Sequence, residues 1–359
     1  MRVKRFGALA LVFLALVLTA CGTDEIVEEL LTPTPTPVAT PEPTPEPTPE
    51  PYQGPRNPLT NEPVEEDISQ QRPFAVLLDN IRTALPHNGL SQADIIYELP
   101  VEGGITRLLA VFQDIEDAGE IGPVRSARHY FLDVVQGHDA IFVHAGGSPQ
   151  AYADIRSRGV PNIDGVLGSG REFYRDRDRA RRAGYEHSMM TTDELLLTNV
   201  DRYGYRREHE AGFSTGLAFM EDGVTLTEGQ TALEVTVRFS SAKTGVFTFD
   251  RATGLYGVSQ FGAPMIDGVT EEQLQVTNVL VLFANFRVLD GEGRLGVDFG
   301  TGGEGYFISG GYAVSIRWSK GGHLAPFIYT LADGQPLELA VGRTYVNIVN
   351  LNTGEVTFE

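Results

Sequence analysis

In the stretch "EIGPVRSARHYFLDVVQGHDAIFVHAGGSP", Glu120 to Pro149, Arg125 and Arg128 stand three residues apart in a chain whose formal net charge is −20. A guanidinium presents planar pairs of donors that match carboxylate and phosphate oxygens. Ser126 is a preferred N-cap, and Ala127, Phe131, Val134 and Val135 recur at helical intervals, so a helix is predicted to begin near Ser126. Cations at a helix N-terminus oppose its dipole, which calls for a negative group nearby. That group is either a bound phosphate or carboxylate, or one of the chain's own acids: Asp79, Glu98, Glu102 or Asp133.

Two neighbouring features extend the candidate site. His144 closes an apolar strand, Gly146 and Gly147 let backbone approach closely, and Ser148-Pro149 fits the cap and first position of another helix. Strand ends that face helix N-termini are where open α/β sheets bind ligands. In "LPVEGGITR", Glu102 and Arg107 flank Gly103-Gly104 at a turn between strands, which is either a plain hairpin reversal or part of the same site. The predicted ligand-binding set is therefore Arg125, Arg128, His144, Glu102, Arg107 and Asp79, with no catalytic residue assigned. The run "REFYRDRDRARRAGYEH" reads as a solvated charged face, set apart from an ordinary one by Phe173-Tyr174 and His187.

Other chemistries lack their patterns. "GTGGEG", Gly300 to Gly305, matches the dinucleotide-binding spacing but leads into the strand-like "YFISG" with no helix to receive a pyrophosphate, so it reads as a turn. The seven histidines form no i, i+4 pair and there is one cysteine, so no metal site is predicted. His209 and His323 read as surface or turn residues, and Trp318 as core. No serine sits in a G-x-S-x-G elbow. Glu98 and Glu102 are a carboxylate pair of unknown separation.

The elements that must position these residues begin after a long leader. Arg2, Lys4 and Arg5 precede an apolar run, Phe6 to Leu18, too short to span a membrane as a mature helix, which reads as a secretory signal over residues 1–20. The run ends in "LTAC", which resembles the lipobox of bacterial lipoproteins and places the single cysteine, Cys21, where lipidation requires it. Residues 21–71 then form a lipid anchor and a Pro/Thr/Glu-rich spacer with no apolar period, expected to be disordered or extended as polyproline II; a chain starting near Gln71 is expected to fold unaided. Beyond Asp67 the chain holds 37 acidic and 24 basic residues. That balance argues against nucleic acid as a partner and against attraction to an anionic membrane surface.

Between residues 72 and 215, the strand-like runs "FAVLLDN", "ADIIYELP", "TRLLAVFQD" and "DAIFVHAGG" alternate with the helical patterns "SARHYFLDVVQ", "SPQAYADIRSRG" and "TTDELLLTNVDRYG". From 216 to 359, period-two runs such as "LEVTVRFS" and the hairpin-like "GVFTFDRATGLYGV" dominate, with "NVLVLFANFRVL" apolar enough for a central strand. The predicted class is α+β, an N-terminal α/β layered domain with a mixed sheet followed by a mainly antiparallel β domain.

The ordered blocks "RPFAVLLDN", "GLSQADIIYEL", "EGGITRLLAVFQD", "IGPVRSARHYF", "DAIFVHAGGSP" and "FYRDRDR", with "SIRWSK" and "RTYVNIVN" near the C-terminus, resemble the YerB-like family of bacterial lipoproteins. Where family members carry a His-Asn-Leu-Tyr-Thr-like string, this chain has His187-Ser188-Met189-Met190-Thr191. The resemblance implies an extracytoplasmic, two-domain envelope protein held to the membrane through Cys21, and implies no particular chemistry. The expected function is that of a non-catalytic binding or scaffolding module with an arginine-lined anion site and no cofactor. Its expected partners are an anionic envelope ligand or another envelope protein. In outline, a strand ending in Asp79, an Asp94 before the next strand and the later "PVR" are also similar to the LytR-CpsA-Psr phosphotransferases. That similarity implies the alternative, a phosphotransferase or hydrolase acting on an anionic envelope polymer, with Asp79, Asp94, Arg125 and Arg128 around a pyrophosphate and Mg²⁺.

Overall fold

The computed structural model describes residues 52–359. The predicted signal peptide, Cys21 and the spacer up to residue 51 lie outside the described residues.

The apolar runs of the first half become strands β1 (Phe74–Asn80), β2 (Ile95–Pro100) and β3 (Thr106–Phe112), the two-residue β4 (Glu120–Ile121), and β5 (Ile141–His144) and β6 (Asn162–Asp164). Helix α1 is Phe131–Gly137 and α2 is Pro149–Arg158; β7 (Tyr174–Arg175), α3 (Arg177–Ala183), β8 (Met189–Thr192) and α4 (Asp193–Tyr203) follow. Three helices begin on side-chain caps: Ser148 Oγ, predicted from the sequence, accepts from Ala151 N–H, Asp176 Oδ1 from Asp178 and Arg179 N–H, and Thr192 Oγ1 from Leu195 N–H.

A twelve-stranded mixed sheet is the backbone of the molecule. Its order runs β6, β5, β1, β3, β2, then Thr344–Asn350, Asn278–Val288, Gly303–Ser309 and Tyr312–Lys320. Strands β1, β5 and β6 are parallel, and β3 is antiparallel to both β1 and β2. Thr344–Asn350 lies parallel to β2 on one side and to Asn278–Val288 on the other, so the two halves of the chain share one hydrogen-bonded layer. A six-stranded antiparallel sheet, including Glu234–Arg238, Thr244–Asp250 and Leu255–Gln260, belongs to the C-terminal half.

Both faces of the large sheet are covered, which is why β1, β2, β3 and β5 are apolar without alternation. Leu78, Ile96 and Leu108 pack with Val235, Phe247 and Tyr256 of the second sheet, whereas Leu77, Leu109 and Phe142 pack with Phe131, Val135 and Ile155 of α1 and α2. Trp318 is core, as expected, at 2% exposure.

One polar knot ties the layers together. Glu98, 1% exposed, accepts from Asn80 Nδ2 at 3.0 Å, Thr106 Oγ1 at 2.6 Å and the Tyr345 hydroxyl at 2.6 Å, and pairs with Lys243 Nζ at 3.0 Å. Its partners come from β1, β3, the C-terminal parallel strand and the second sheet. This carboxylate therefore serves the fold and is not half of an acid–base pair with Glu102.

Three expectations are corrected. The spacer does not extend to residue 71: Leu59 is 1% exposed in the core beneath α1, Asn57 Nδ2 donates to Asp94 at 2.7 Å, and Thr60 O accepts from Gly342 N–H. The helix expected near Ser126 begins at Phe131 and has seven residues, because the segment before it is drawn into backbone pairing with the sheet. His209 is not a surface residue but stacks on Phe213 and pairs with Asp139 at 3.0 Å, in a cluster with Arg72 and Arg206. The first correction has a direct consequence: Leu59→Ala should cost about 2–5 kcal/mol in chemical denaturation, as core truncations do, whereas an unpacked spacer residue would cost nothing measurable.

Candidate functional site

The parallel strands β1 and β5 are hydrogen-bonded over Phe74–Val76 and Ile141–Val143, and beyond that point the segment Pro123–Ala127 is wedged between them. Pro123 O accepts from Asp79 N–H, Arg125 N–H donates to Leu77 O, Arg125 O accepts from Ala145 N–H, and Ala127 N–H donates to Gly146 O. Local helix propensity at "SARHYF" yields here to tertiary pairing that bonds backbone groups of both strands at a buried sheet end. No helix N-terminus stands at Ser126 to hold an anion, contrary to the sequence expectation.

What the wedge does instead is deliver arginine side chains to the carboxyl end of β1. Asp79 and Arg107 are direct cross-strand partners and so share a face. Asp79 Oδ2 lies 3.1 Å from Arg125 Nε, but the N–H is misaligned and no hydrogen bond forms; Arg125 Nη1 donates to Glu186 O at 3.0 Å. Arg128 grips Glu102 with two bonds, Nε to Oε1 at 2.6 Å and Nη2 to Oε2 at 2.8 Å, and its Nη1 reaches the carbonyls of Ser126 and Ala127. Burial opposes the charge on Glu102, and the Arg128 guanidinium overrides it, holding the carboxyl below its usual range.

Arg107 is the anomaly. It is 5% exposed, its Nη1 donates to Ser126 O, its Nε has no partner, and it forms no ion pair among the described residues. Burial, followed by repulsion from Arg128 and Arg125, pushes its guanidinium down to about 9. Three guanidiniums thus face two buried carboxylates, Asp79 and Glu102, with the exposed Glu186 acting on Arg125 from the rim, and Arg107 is the one of the three without an ion pair among the described residues.

The structure gathers five of the six predicted residues: Arg125, Arg128, Arg107, Asp79 and Glu102. The sixth, His144, lies on the neighbouring strand with both ring nitrogens engaged, Nδ1 with Gly146 O at 2.8 Å and Nε2 with Asn162 Oδ1 at 3.1 Å. Its place in the ligand set is therefore corrected: it fixes the turn at Gly146, whose φ is +80°. Of the four acids offered as compensating charges, Asp79 and Glu102 take that role, while Asp133 pairs with Arg158 and Glu98 with Lys243.

His187 belongs to the same cluster and was not assigned from sequence. Its Nδ1 lies 2.5 Å from Asp79 Oδ2, and its Nε2 lies 3.5 Å from Glu186 Oε1. Nothing in the sequence ties it to Asp79, 108 residues away. The arginine-rich run that precedes it is not wholly a solvated face either: Arg179, 4% exposed, donates to Ala84 O, Pro86 O and Asn88 Oδ1. Asp94, by contrast, is remote. Asp79 pairs with Arg107 at one end of β3 while Asp94 accepts from Gln113 N–H just past the other, six residues along and roughly 20 Å away at strand spacing. The Asp79–Asp94 pair implied by the phosphotransferase similarity does not assemble.

Comparison with known proteins agrees with the architecture. Residues 59–206 match the N-terminal domain, and residues 235–346 the C-terminal domain, of the family described as protein of unknown function DUF3048. YerB of Bacillus subtilis strain 168, named as a candidate lipoprotein, is 30% identical over 294 residues, covering 81% of this chain and 85% of that protein. The crystal structure of Bacillus subtilis YerB superposes with a TM-score of 0.74 at 28% identity, covering 84% of this chain and 99% of that one. Among the described residues no helix is long and apolar enough to cross a membrane. With both halves matched in order and a relative of this identity and coverage, the chain belongs to the DUF3048 family, the family of YerB.

Proposed function

We propose that this protein is a lipid-anchored extracytoplasmic envelope protein whose arginine cluster captures an anionic ligand. The lipobox-like "LTAC" and the lipoprotein name of the Bacillus relative support the anchor. The observation that carries the binding reading is Arg107. A buried cation without a counter-ion is costly, and proteins keep such groups where an incoming charge relieves them. A phosphate or carboxylate arriving beside Arg107 and the quarter-exposed Arg125 would bring the missing negative charge, with charge-assisted bonds to guanidiniums already held in place by Ser126 O and Glu186 O. Arg128, fully engaged by Glu102 and two carbonyls, tunes the field and does not reach the ligand.

The wild-type melting temperature is expected to rise in millimolar phosphate or pyrophosphate, and this rise should disappear in both Arg107→Gln and Arg125→Gln. Without anion, Arg107→Gln should melt no lower than wild type, since it removes an unpaired buried charge, whereas Arg125→Gln should melt lower because it takes the one arginine paired with buried Asp79 and leaves that carboxylate to His187. A wild type indifferent to anions, with both variants melting far earlier, would make these arginines purely structural. For the anchor, Cys21→Ser should release the protein from the membrane fraction with its fold unchanged, because a lipid adds attachment and no core packing; continued membrane association would reveal another anchor.

A further inference from the structure

Away from the arginine cluster, a pocket of about 290 Å³ opens where the first half of the chain meets the second sheet. Its walls are Arg82, from the turn after β1, and residues of the strands Thr244–Asp250 and Leu255–Gln260 with their flanking turns. Two properties set it apart. First, its lining contains no carboxylate in a chain with 48 acidic residues, whereas four other surface pockets each carry at least one: Asp67, Glu304, Glu62 and Asp333 among them. Second, its polar groups are under-used. Arg82 is exposed, makes no ion pair among the described residues, and forms a single hydrogen bond, Nη2 to Phe261 O at 2.7 Å. Ser241 and Thr244 hydroxyls make no hydrogen bond among the described residues, and Ser259 Oγ is met only by Gln273 Nε2 at 3.5 Å.

Phe261 and Gly262, at φ +53° and +77°, form the two-residue turn that pairs Gln260 with Ala263, and this turn brings the Phe261 ring to the pocket. That ring is held between two cations, Arg82 at 5.3 Å and Lys243 Nζ at 4.8 Å. Lys243 is anchored from below by Glu98 at 3.0 Å and by Gln260 Oε1. Gln260 is 4% exposed and its Nε2 has no acceptor, a buried donor left over in the wall of the pocket.

We propose that this pocket binds a single saccharide ring bearing a carboxylate. Small-ligand sites run from ~300 to ~1,000 Å³, so a pocket at the bottom of that range holds one ring and not a chain. The hydroxyls of Ser241, Thr244 and Ser259 suit the hydroxyls of a sugar, which donate and accept in turn. Ala242, Val246 and the Phe261 edge provide the apolar side that the C–H face of a sugar needs. Arg82 supplies one planar guanidinium and no second free cation stands beside it, which matches a singly charged carboxylate better than a doubly charged phosphate ester. This site is independent of the arginine cluster at Arg107.

The experiment titrates the full chain with glucuronate and, separately, with glucose, following wild type, Arg82→Gln and Ser259→Ala by calorimetry or ligand-observed NMR. Glucuronate should bind saturably in the millimolar range, glucose at least tenfold more weakly, and Arg82→Gln should lower glucuronate affinity about tenfold or more, as loss of a charge-assisted pair does. Ser259→Ala should weaken both sugars together. Arg82 is exposed, so Arg82→Gln should keep the wild-type melting temperature and the wild-type response to phosphate. No saturable glucuronate binding by the wild type would overturn the proposal, as would binding that Arg82→Gln leaves unchanged.

Discussion

The arginine cluster exists because the segment Pro123–Ala127 fills the gap between the carboxyl ends of β1 and β5. Once those parallel strands diverge, their last backbone groups face a buried space, and each must find a partner. The wedge supplies the partners at Asp79, Leu77, Ala145 and Gly146, and in doing so it fixes Arg125 against Asp79 and puts Ser126 O where Arg107 and Arg128 converge. Backbone satisfaction and charge placement are the same event here. That is also why α1 is short: residues that would form its first turn are needed as an extended strand.

The knot at Glu98 is the other constraint on this end of the sheet. Asn80 and Thr106, which bond Glu98, sit next to Asp79 and Arg107 along β1 and β3. Alternation sends the first pair to one face of the sheet and the second pair to the other. One face thus holds the hydrogen-bonded Glu98 carboxylate facing the second sheet, and the other an arginine cluster in which Arg107 has no ion pair among the described residues. A change at either network is expected to be felt at the other through a single residue step of backbone.

Much of this was legible in the sequence. The strands of the first half fall where unbroken apolar runs indicate, α2 starts at the Ser148 cap and α4 lies within the helical pattern of its segment, because burial on both faces and side-chain capping leave local signatures. The arginines, Asp79 and Glu102 were identifiable as a group because charged residues at the ends of apolar strands are rare. What could not be read is what depends on distant partners. The wedge at Val124 is a pairing made in three dimensions, His187 reaches Asp79 across 108 residues, and His144 looks like a ligand until Gly146 O and Asn162 close around it. Leu59 was hidden by its neighbours: a proline-rich composition continues past the point where the chain begins to pack.

The binding reading requires that Arg107, buried without an ion pair, and Arg125 together hold an anion in a preorganised place. The most direct measurement is a crystal of the folded chain soaked in tungstate, a heavy tetrahedral stand-in for phosphate, with the anion located by its anomalous signal. A bound anion should give a peak within hydrogen-bonding distance of the Arg107 and Arg125 guanidiniums, on the sheet face that carries Asp79. Anomalous peaks confined to other surfaces, with this cluster unchanged and empty at saturating tungstate, would contradict the binding reading.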